Sequence, residues 1–214
     1  MSIPKIIHNT FKNENLPKTY KFCQTEIKKL HPDFEYRFYT DHDMDEIMKT
    51  EFSEYYKQFS KLPRMIMKID MFRYFLMYQY GGIYTDMDYL MLRPFDILGE
   101  KVVIPCNRED KNGNPICLGN CIFASQPKHP YWKSLMDTLF TIDRTKIDYN
   151  VDKNIADNIL GTGPMFVFDM WEKYSKTNND IYVCKKNLFH PQTNLNHEYL
   201  KNLKKEGCYG MHIC

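Results

Sequence analysis

The pattern of apolar and polar residues in the first forty positions predicts a strand, a helix and a second strand. The apolar run KIIHNTF, residues 5–11, is closed by polar residues and predicts a buried strand. Next comes a predicted amphipathic helix that stops before Pro32. Its apolar positions, at three- and four-residue spacing, are Tyr20, Cys23, Ile27 and Leu30. EYRFYT, residues 35–40, alternates as a strand does, so the order is typical of a parallel α/β sheet.

The longest predicted helix runs from Arg64 to Tyr80, and Gly81 is placed to end it. The segment before it, DHDMDEIMKTEFSEYYKQFSKLP, predicts one or two short helices. The core face of the long helix is predicted to consist of Ile66, Ile69, Phe72, Leu76 and Tyr80. Asp70 and Arg73 are three residues apart and therefore share one side of this helix.

Strands and helices are also predicted for the second half of the chain. GIYTDMDYLML predicts a strand that breaks at its acidic pair, and KVVIPC, CIFAS and DIYVC predict further strands. A helix is predicted for HPYWKSLMDTLFTI, and a helix interrupted by a Gly-Thr-Gly-Pro turn is predicted for IADNILGTGPMFVFDMWEKYSK. A surface loop is predicted for NREDKNGNPICLGN. A single α/β domain over residues 1–214 is expected, because a chain of this length can bury a sizeable core.

Charge and composition argue against several classes of partner. The chain has 29 Lys and Arg against 27 Asp and Glu, a net charge of +2, so no nucleic-acid partner is expected. The first residues, MSIPKIIHNTF, lack the charged and long apolar regions of a secretory signal, and no apolar run reaches the ~18 residues that a membrane segment needs. Seven cysteines without regular spacing predict reduced thiols, and Cys117 and Cys121 lack the second pair of a zinc site. We therefore expect a soluble, cytoplasmic protein with no membrane segment.

Two aspartates, Asp86 and Asp88, follow directly after a predicted strand. Residues i and i+2 of an extended segment point to the same side, so the two carboxylates can converge on one ion. Carboxylates at the end of a sheet strand suit Mg²⁺ or Mn²⁺, and ligand crevices of open α/β sheets lie at such ends. An isolated Asp-x-Asp can instead simply form a turn. Asp70 and Arg73 nearby favour the ligand site, although an internal ion pair on the helix remains an alternative for them.

Several segments carry a resemblance to a known family. In chain order they are IPKIIHNTF, FEYRFYTD, KIDMFRYFLMYQYGGIYTDMDYLMLRPFD, NCIFASQPKHPYW and TGP. Together they resemble the sugar-transferase family with the DXD sugar-binding motif, which includes fungal α-1,6-mannosyltransferases and shares its motif with glucosylating domains of large bacterial toxins. The resemblance implies a GT-A fold with a Rossmann-like sheet. It also implies metal-dependent, retaining transfer of a hexose from a UDP- or GDP-sugar to a hydroxyl acceptor on a glycan or protein.

The resemblance also implies roles for particular residues in donor binding and catalysis. Asp88 matches a direct metal ligand, and Asp86 matches the residue shared by the metal, the ribose and the donor sugar. Asp70 and Arg73 match the residues that hold the sugar hydroxyls and the phosphate side of the donor. His8 and Thr10 match family residues that line the nucleotide. Asn120 and the Gly161–Pro164 turn, which includes Gly163, match segments near the reaction centre.

The match is weaker at the C-terminal end. Family members place a histidine and then a Gly-Ser-Trp-like element at the metal and diphosphate, whereas this chain reads YGMHIC. His212 is accordingly a candidate third metal ligand, with a plain C-terminal histidine as the alternative, and a shortened C-terminus is one interpretation of the missing element. His129, His190 and His197 lie near proline or asparagine and are expected to be surface or turn histidines without a role.

Two other functions stay open on sequence alone. A phosphatase of the haloacid dehalogenase type also places Asp-x-Asp after an apolar strand and uses the first Asp as nucleophile. That class has the pair on its first strand, however, and a Thr or Val where this chain has Leu90. The other alternative is a degenerate transferase domain that binds a nucleotide or a partner without catalysis, which the missing C-terminal element favours.

Overall fold

The protein is described from a computed structural model that covers residues 2–141 and 161–213. Its strands are β1 (Ile6–Thr10), β2 (Glu35–Tyr39), β3 (Gly82–Thr85), β4 (Tyr89–Met91), β5 (Val102–Glu109), β6 (Pro115–Leu118), β7 (Ile122–Ser125), β8 (Ile181–Cys184) and β9 (Gly210–His212). Its helices are α1 (Lys18–Leu30), α2 (Asp41–Thr50), α3 (Ser53–Phe59), α4 (Met65–Gln79), α5 (Pro130–Thr141), α6 (Pro164–Ser175), α7 (Lys186–Phe189) and α8 (His197–Lys205).

The main sheet is mixed and has seven strands. Its order is β2-β1-β3-β7-β5-β6, and β8 pairs with β5. β1 lies parallel to both β2 and β3, as the predicted strand-helix-strand opening requires, and β8 lies parallel to β5. β7 runs antiparallel to β3 and β5. A separate antiparallel pair, β4 with β9, brings the C-terminal end of the described chain next to the end of β3.

Two apolar clusters cover opposite faces of the sheet. Consecutive strand residues alternate between them: Tyr84 and Ile104 belong to one cluster, and Ile83 and Val103 belong to the other. The first cluster holds the buried side chains of α2, α3, α4, α5 and α6, whereas the second receives Ile27 of α1. The arrangement confirms the predicted α/β class, with helices against both faces of the sheet. None of the described helices is both long and apolar enough to span a bilayer.

The predicted core face of α4 is wrong at its N-terminal end. Ile66 is 36% exposed, whereas all eight residues from Asp70 to Met77 are buried. The helix contacts β3 and β7 on one side and α5 on another, so it is covered around most of its circumference. Asp70 and Arg73 therefore lie inside the protein, each about 2% exposed.

The predicted surface loop NREDKNGNPICLGN is also wrong in part, because β5 extends to Glu109 and β6 begins at Pro115. The two strands form an antiparallel hairpin. Asp110 closes its turn by accepting hydrogen bonds from the backbone N–H groups of Asn112 and Asn114, at 2.8 and 2.9 Å. The break between β3 and β4 at the acidic pair and the paired short helices α2 and α3 are confirmed. The helix predicted before the Gly-Thr-Gly-Pro turn lies outside the described residues.

Candidate active site

Gly81 and Gly82, which we call the glycine corner, connect α4 to β3 and allow Arg73 of the helix and Asp86 at the end of the strand to lie close together. Gly81 and Gly82 have φ values of 64° and 86°, a region that favours glycine. A Cβ atom at Gly81 would lie 2.5 Å from the carbonyl oxygen of Ser125, and one at Gly82 would lie 2.6 Å from that of Ile6. The strand can therefore turn directly out of the helix and pass between β1 and β7, which brings Asp86 close to Arg73.

Asp86, Asp88 and His212 form a cluster at the end of β3. The backbone N–H of Asp86 donates to the carbonyl of Cys121 at 2.8 Å, which holds the end of β3 against the start of β7. The pairing of β4 with β9 sets His212 beside Asp88, with 3.0 Å between Nε2 of the histidine and Oδ1 of the aspartate. One ligand atom from each of the three residues lies within 4.8 Å of the others.

The donor set of this cluster fits a divalent cation. Two carboxylates supply hard oxygen ligands and the imidazole of His212 supplies a nitrogen. Burial raises the pKa of Asp86 above its ordinary value, although Arg73 and Tyr84 oppose the shift. The hydrogen bond to Asp88 raises the pKa of His212. A cation bound here would relieve the repulsion between the two carboxylates and take the place of the proton on the histidine.

Arg73 connects Asp86 to the interior of α4. Its Nη2 lies 3.4 Å from Oδ1 of Asp86 and 3.3 Å from Oδ1 of Asp70. Its Nη1 donates to the carbonyl of Asn120, while its buried Nε has no hydrogen-bond partner among the residues that the structure describes. Burial opposes the charge of the guanidinium, but the acids beside it raise the pKa of Arg73 well above its usual range, so it stays cationic.

Asp70 connects Asn120 and the Gly161–Pro164 turn to α4. Its Oδ1 accepts from Nδ2 of Asn120 at 3.1 Å, and its Oδ2 accepts from Oγ1 of Thr162 at 2.9 Å. Tyr74, one helical turn further along, donates to the carbonyl of Thr162. The Gly161–Pro164 turn therefore reaches the site through Thr162, while Gly163 serves as the residue that precedes α6. The predicted contacts of Asp70 and Gly163 with the donor sugar stay predictions.

Tyr84 is a site residue that the sequence reasoning missed. Its hydroxyl donates to Oδ1 of Asp86 at 2.8 Å and lies 3.1 Å from Oγ1 of Thr10. The guanidinium carbon of Arg73 lies 4.8 Å from the centre of its ring. Burial raises the pKa of Tyr84 well above its ordinary value, so the phenol remains a donor. Its position two residues before Asp86 on the same strand face was the available signal.

Asp86 separates two cavities. The first, which we call the helix-side cavity, has a volume of about 270 Å³ and lies at the N-terminal end of α4. Its lining includes Thr10, Phe11, Met65, Ile66, Ile69, Arg73, Asp86 and Asp88. The second, the hairpin-side cavity, has a volume of about 350 Å³. Its lining consists of Asp86, Asn107, Gly119, Asn120, Cys121, Pro164, His190, Pro191, Thr193 and His212.

The structure places three histidines differently from the positions expected from the sequence. His8 is fully buried, with Nδ1 3.0 Å from the hydroxyl of Tyr39 and Nε2 2.9 Å from the carbonyl of Gly81. Both of its ring nitrogens are engaged and it lies outside the described lining of the helix-side cavity, so its predicted contact with the nucleotide stays a prediction. His190 was expected to have no role, yet it lines the hairpin-side cavity. His129, expected at the surface, is buried and lies 3.2 Å from Asp180.

Comparison with known proteins supports the same interpretation of the site. Residues 17–104, which include Asp70, Arg73, Asp86 and Asp88, match the family model described as "Glycosyltransferase sugar-binding region containing DXD motif". The solved structure titled "PaToxG Glycosyltransferase" superposes with a TM-score of 0.56 at 17% identity, covering 81% of this chain and 69% of that one. Together with the sheet order, this likeness shows the predicted GT-A fold.

Several of the sequence relatives are fungal proteins. Inositol phosphoceramide mannosyltransferase 3 of Schizosaccharomyces pombe is 30% identical over 175 residues, covering 82% of this chain and 46% of that protein. Mannosyl phosphorylinositol ceramide synthase SUR1 of Saccharomyces cerevisiae is 31% identical over 176 residues, covering 81% of this chain and 43% of that protein. The chain thus spans about half the length of these relatives. Residues 17–104 thus match a glycosyltransferase sugar-binding region that contains the DXD motif, and about four fifths of the chain is similar to fungal mannosyltransferases.

Proposed function

We propose that this protein transfers a hexose from a nucleoside diphosphate sugar to a hydroxyl acceptor, in a reaction that requires Mn²⁺ or Mg²⁺. The observation that carries the proposal is the convergence of Asp86, Asp88 and His212 beside the buried Arg73. Carboxylates that hold a divalent cation, next to the positive charge of a guanidinium, are suited to bind a diphosphate.

The leaving group is the diphosphate, and its charge is what the site must stabilise. Asp86, Asp88 and His212 would hold the divalent ion, which when bound neutralises the negative charge that develops on the β-phosphate. Arg73 supplies a second positive charge from the protein side, and its interior position makes that charge more effective than it would be in water. Tyr84 fixes the orientation of the Asp86 carboxylate through its hydrogen bond.

The helix-side cavity is suited to the nucleoside part of the donor. Met65 and Ile66 expose 47% and 36% of their surfaces at its edge, and Phe11 lies on its wall. Apolar side chains of this kind pack against the face of a nucleobase. Thr10 lies on the same wall and offers a hydroxyl to the ribose. The diphosphate would then extend from this cavity to Arg73 and the acidic pair.

Retention of the anomeric configuration by attack on the face that the phosphate leaves is part of the proposal. A covalent intermediate would need an unengaged carboxylate next to the sugar. Asp70 accepts hydrogen bonds on both of its oxygens, and Asp86 is paired with Arg73 and Tyr84. Asp86 is also the only carboxylate among the described residues that line the hairpin-side cavity. Asp70 and Asn120 would then position the sugar without reacting with it.

The names of the fungal relatives guide the choice of donor and acceptor. Those names contain mannosyltransferase and inositol phosphoceramide. GDP-mannose is therefore the first donor to test, followed by UDP-glucose, UDP-galactose and UDP-N-acetylglucosamine. The acceptor hydroxyl would belong to a glycan, a protein or an inositol-containing lipid.

A thermal-shift panel of these four donors with Mn²⁺ tests the proposal. A bound donor raises Tm because it binds only the folded state, and we expect this rise to disappear in Asp86→Ala and Asp88→Ala. If no donor stabilises the native chain more than the two variants, the proposed function is wrong. Hydrolysis of the donor that depends on Mn²⁺ would then show that the protein is an enzyme and not a domain that only binds the nucleotide. Release of phosphate from a simple phosphoester without any response to nucleotide sugars would instead indicate the phosphatase.

A further inference from the structure

The hairpin-side cavity lies across Asp86 from the cavity assigned above to the nucleoside. Asp86 and His212 form part of its lining, so it opens directly onto the metal-binding cluster. Its volume, about 350 Å³, is enough for a six-membered ring with its hydroxyl groups together with the transferred sugar. A molecule in this cavity would therefore lie beside the bond that breaks when the donor reacts.

The described lining of this cavity is rich in neutral hydrogen-bonding groups. Asn107 and Asn120 supply amides, Thr193 a hydroxyl and His190 an imidazole, and the lining includes no lysine or arginine. Burial lowers the pKa of His190 to about 4, so the imidazole is neutral at pH 7 and carries one donor and one acceptor nitrogen. Its Nε2 lies 3.9 Å from Sγ of Cys121. Groups that both donate and accept are suited to hydroxyls, and the lysine and arginine side chains that would pair with a phosphate or carboxylate are absent from this described lining.

Close packing holds the imidazole of His190 at the cavity wall. A Cβ atom on Gly119 would lie 2.3 Å from Nε2 of the ring, so only glycine leaves room for the imidazole in this position. The ring also meets Tyr89 edge-on, with 6.5 Å between the ring centres. Thr193 donates to the carbonyl of His212 at 2.9 Å, which joins this wall to the strand that carries the third metal ligand. The oxygen of Thr193 remains able to accept.

We infer that the hairpin-side cavity is the acceptor subsite and that Asn107, His190 and Thr193 bind a neutral, hydroxyl-rich ring, a sugar or a cyclitol, in it. The inference rests on the proposed transferase function, since it names the acceptor side of the same site. Asn107 and Thr193 determine which hydroxyl faces the donor, and any charged part of the acceptor lies outside the cavity.

Saturation-transfer NMR on the full chain with Mg²⁺ and GDP tests the inference. The probes are methyl α-D-mannopyranoside and myo-inositol as neutral rings and mannose 6-phosphate as a charged one. We expect a neutral ring to bind the native chain, and Asn107→Ala to weaken this binding about fivefold to tenfold, the effect of losing one or two neutral hydrogen bonds. Gly119→Ala should abolish binding, because its methyl group displaces His190 into the cavity.

Two controls make the outcome decisive. Asn112→Ala changes an exposed residue in the turn of the same hairpin and should leave ring binding unchanged. Binding of GDP or UDP with Mg²⁺, followed by thermal shift, reports the donor side separately and shows whether Gly119→Ala remains folded. If Gly119→Ala is unfolded, the binding of the neutral rings by Asn107→Ala alone tests the acceptor inference.

The results separate the two proposals. If the native chain binds the nucleotide but neither neutral ring, or if Asn107→Ala binds them as the native chain does, the acceptor inference is wrong and the donor site stands. Tighter binding of mannose 6-phosphate than of both neutral rings would overturn the assignment to a neutral ligand. If the native chain binds no nucleoside diphosphate, the proposed function fails and the inference fails with it.

Discussion

The two cavities beside Asp86 are assembled in different ways. Most of the helix-side cavity comes from one continuous stretch, in which α4 and the glycine corner deliver Arg73, Asp86 and Asp88. The hairpin-side cavity draws on the β5–β6 hairpin, the start of α6, the segment after α7 and strand β9. A site made by local sequence has its geometry set mostly by helix and strand periodicity. A site made by distant segments depends on how the whole sheet packs.

Electrostatics also differ between the two sides. The helix-side cavity is lined by the buried guanidinium of Arg73, which lies between two acids. Apart from Asp86 and His212 of the acidic cluster, the polar groups in the described lining of the hairpin-side cavity are neutral amides, a hydroxyl and a neutral imidazole. We interpret this difference as a division between binding of a charged leaving group and binding of an uncharged acceptor. The following predictions test it, from the largest expected effect to the smallest.

Arg73→Met should give the largest loss of stability. The substitution leaves Asp70 and Asp86 without the buried cation between them, which typically costs about 3–5 kcal/mol in the free energy of unfolding. Urea denaturation monitored by circular dichroism measures this loss. Lys133→Met removes an exposed partner of Asp137 and serves as the matched control, with an expected loss of less than ~1 kcal/mol. Equal losses in the two variants would contradict the buried role of Arg73.

Asp88→Ala should reduce kcat for the transfer reaction on the order of 10²–10³-fold, because a ligand of the charge-stabilising cation is lost. The measurement is donor turnover at saturating Mn²⁺, and Asp137→Ala on the exposed side of α5 is the control. We expect the control to retain native turnover. An Asp88→Ala variant that turns over donor at the native rate would show that this carboxylate does not hold the ion.

Acid should destabilise the protein through its buried histidines. Burial lowers the pKa of His8 to about 4, against 6.5 in the unfolded chain, so the unfolded state binds the proton more readily. The stabilisation is fully present above pH 6.5 and is lost as the pH falls toward 4, with His8 alone contributing about 2 kcal/mol of loss by pH 5.

Unfolding free energies of the native chain and His8→Gln at pH 7, 6 and 5 measure this contribution. The variant should lose less stability between pH 7 and 5 than the native chain does, because it has no imidazole to protonate at that position. His197→Gln, at an exposed position on α8, should follow the native curve. If His8→Gln follows it as well, protonation of His8 is not a source of acid sensitivity.

Tyr84→Phe should have the smallest of these effects. The change removes only the hydroxyl that donates to Asp86, and loss of such an orienting hydrogen bond weakens metal binding by about tenfold. Titration with Mn²⁺ followed by electron paramagnetic resonance gives the Kd. Tyr182→Phe, at a tyrosine that is 42% exposed on β8, is the control and should bind Mn²⁺ with the native Kd. An unchanged Kd in Tyr84→Phe would remove this tyrosine from the metal site.

The sequence predicted the helix-side half of the site better than the hairpin-side half. Asp70, Arg73, Asp86 and Asp88 are all brought near one another as the resemblance implied, and His212 lies beside Asp88. The role of each residue stays a prediction until binding is measured. Tyr84 was missed although it shares a strand face with Asp86, because a tyrosine in a strand is usually part of the core.

The burial of α4 shows why the remaining details were not predictable. Periodicity assigned Ile66 to the core, but the helix lies between the sheet and α5, and its exposed end forms the edge of a cavity. His8 and His190 illustrate the same limit: one is enclosed behind the site, and the other lines it. Both are histidines next to asparagine or proline in sequence, and only their tertiary neighbours distinguish them.

The sequence by itself therefore determined the α/β class, the end of α4 before Gly81 and the position of the acidic pair after β3, because these depend on local periodicity and backbone conformation. Tertiary structure alone decided that His212 joins Asp88 and that His190, Asn107 and Thr193 share one cavity. The physical reason is that strand pairing between β4 and β9, and packing of the hairpin against α6, bring together residues far apart in the chain.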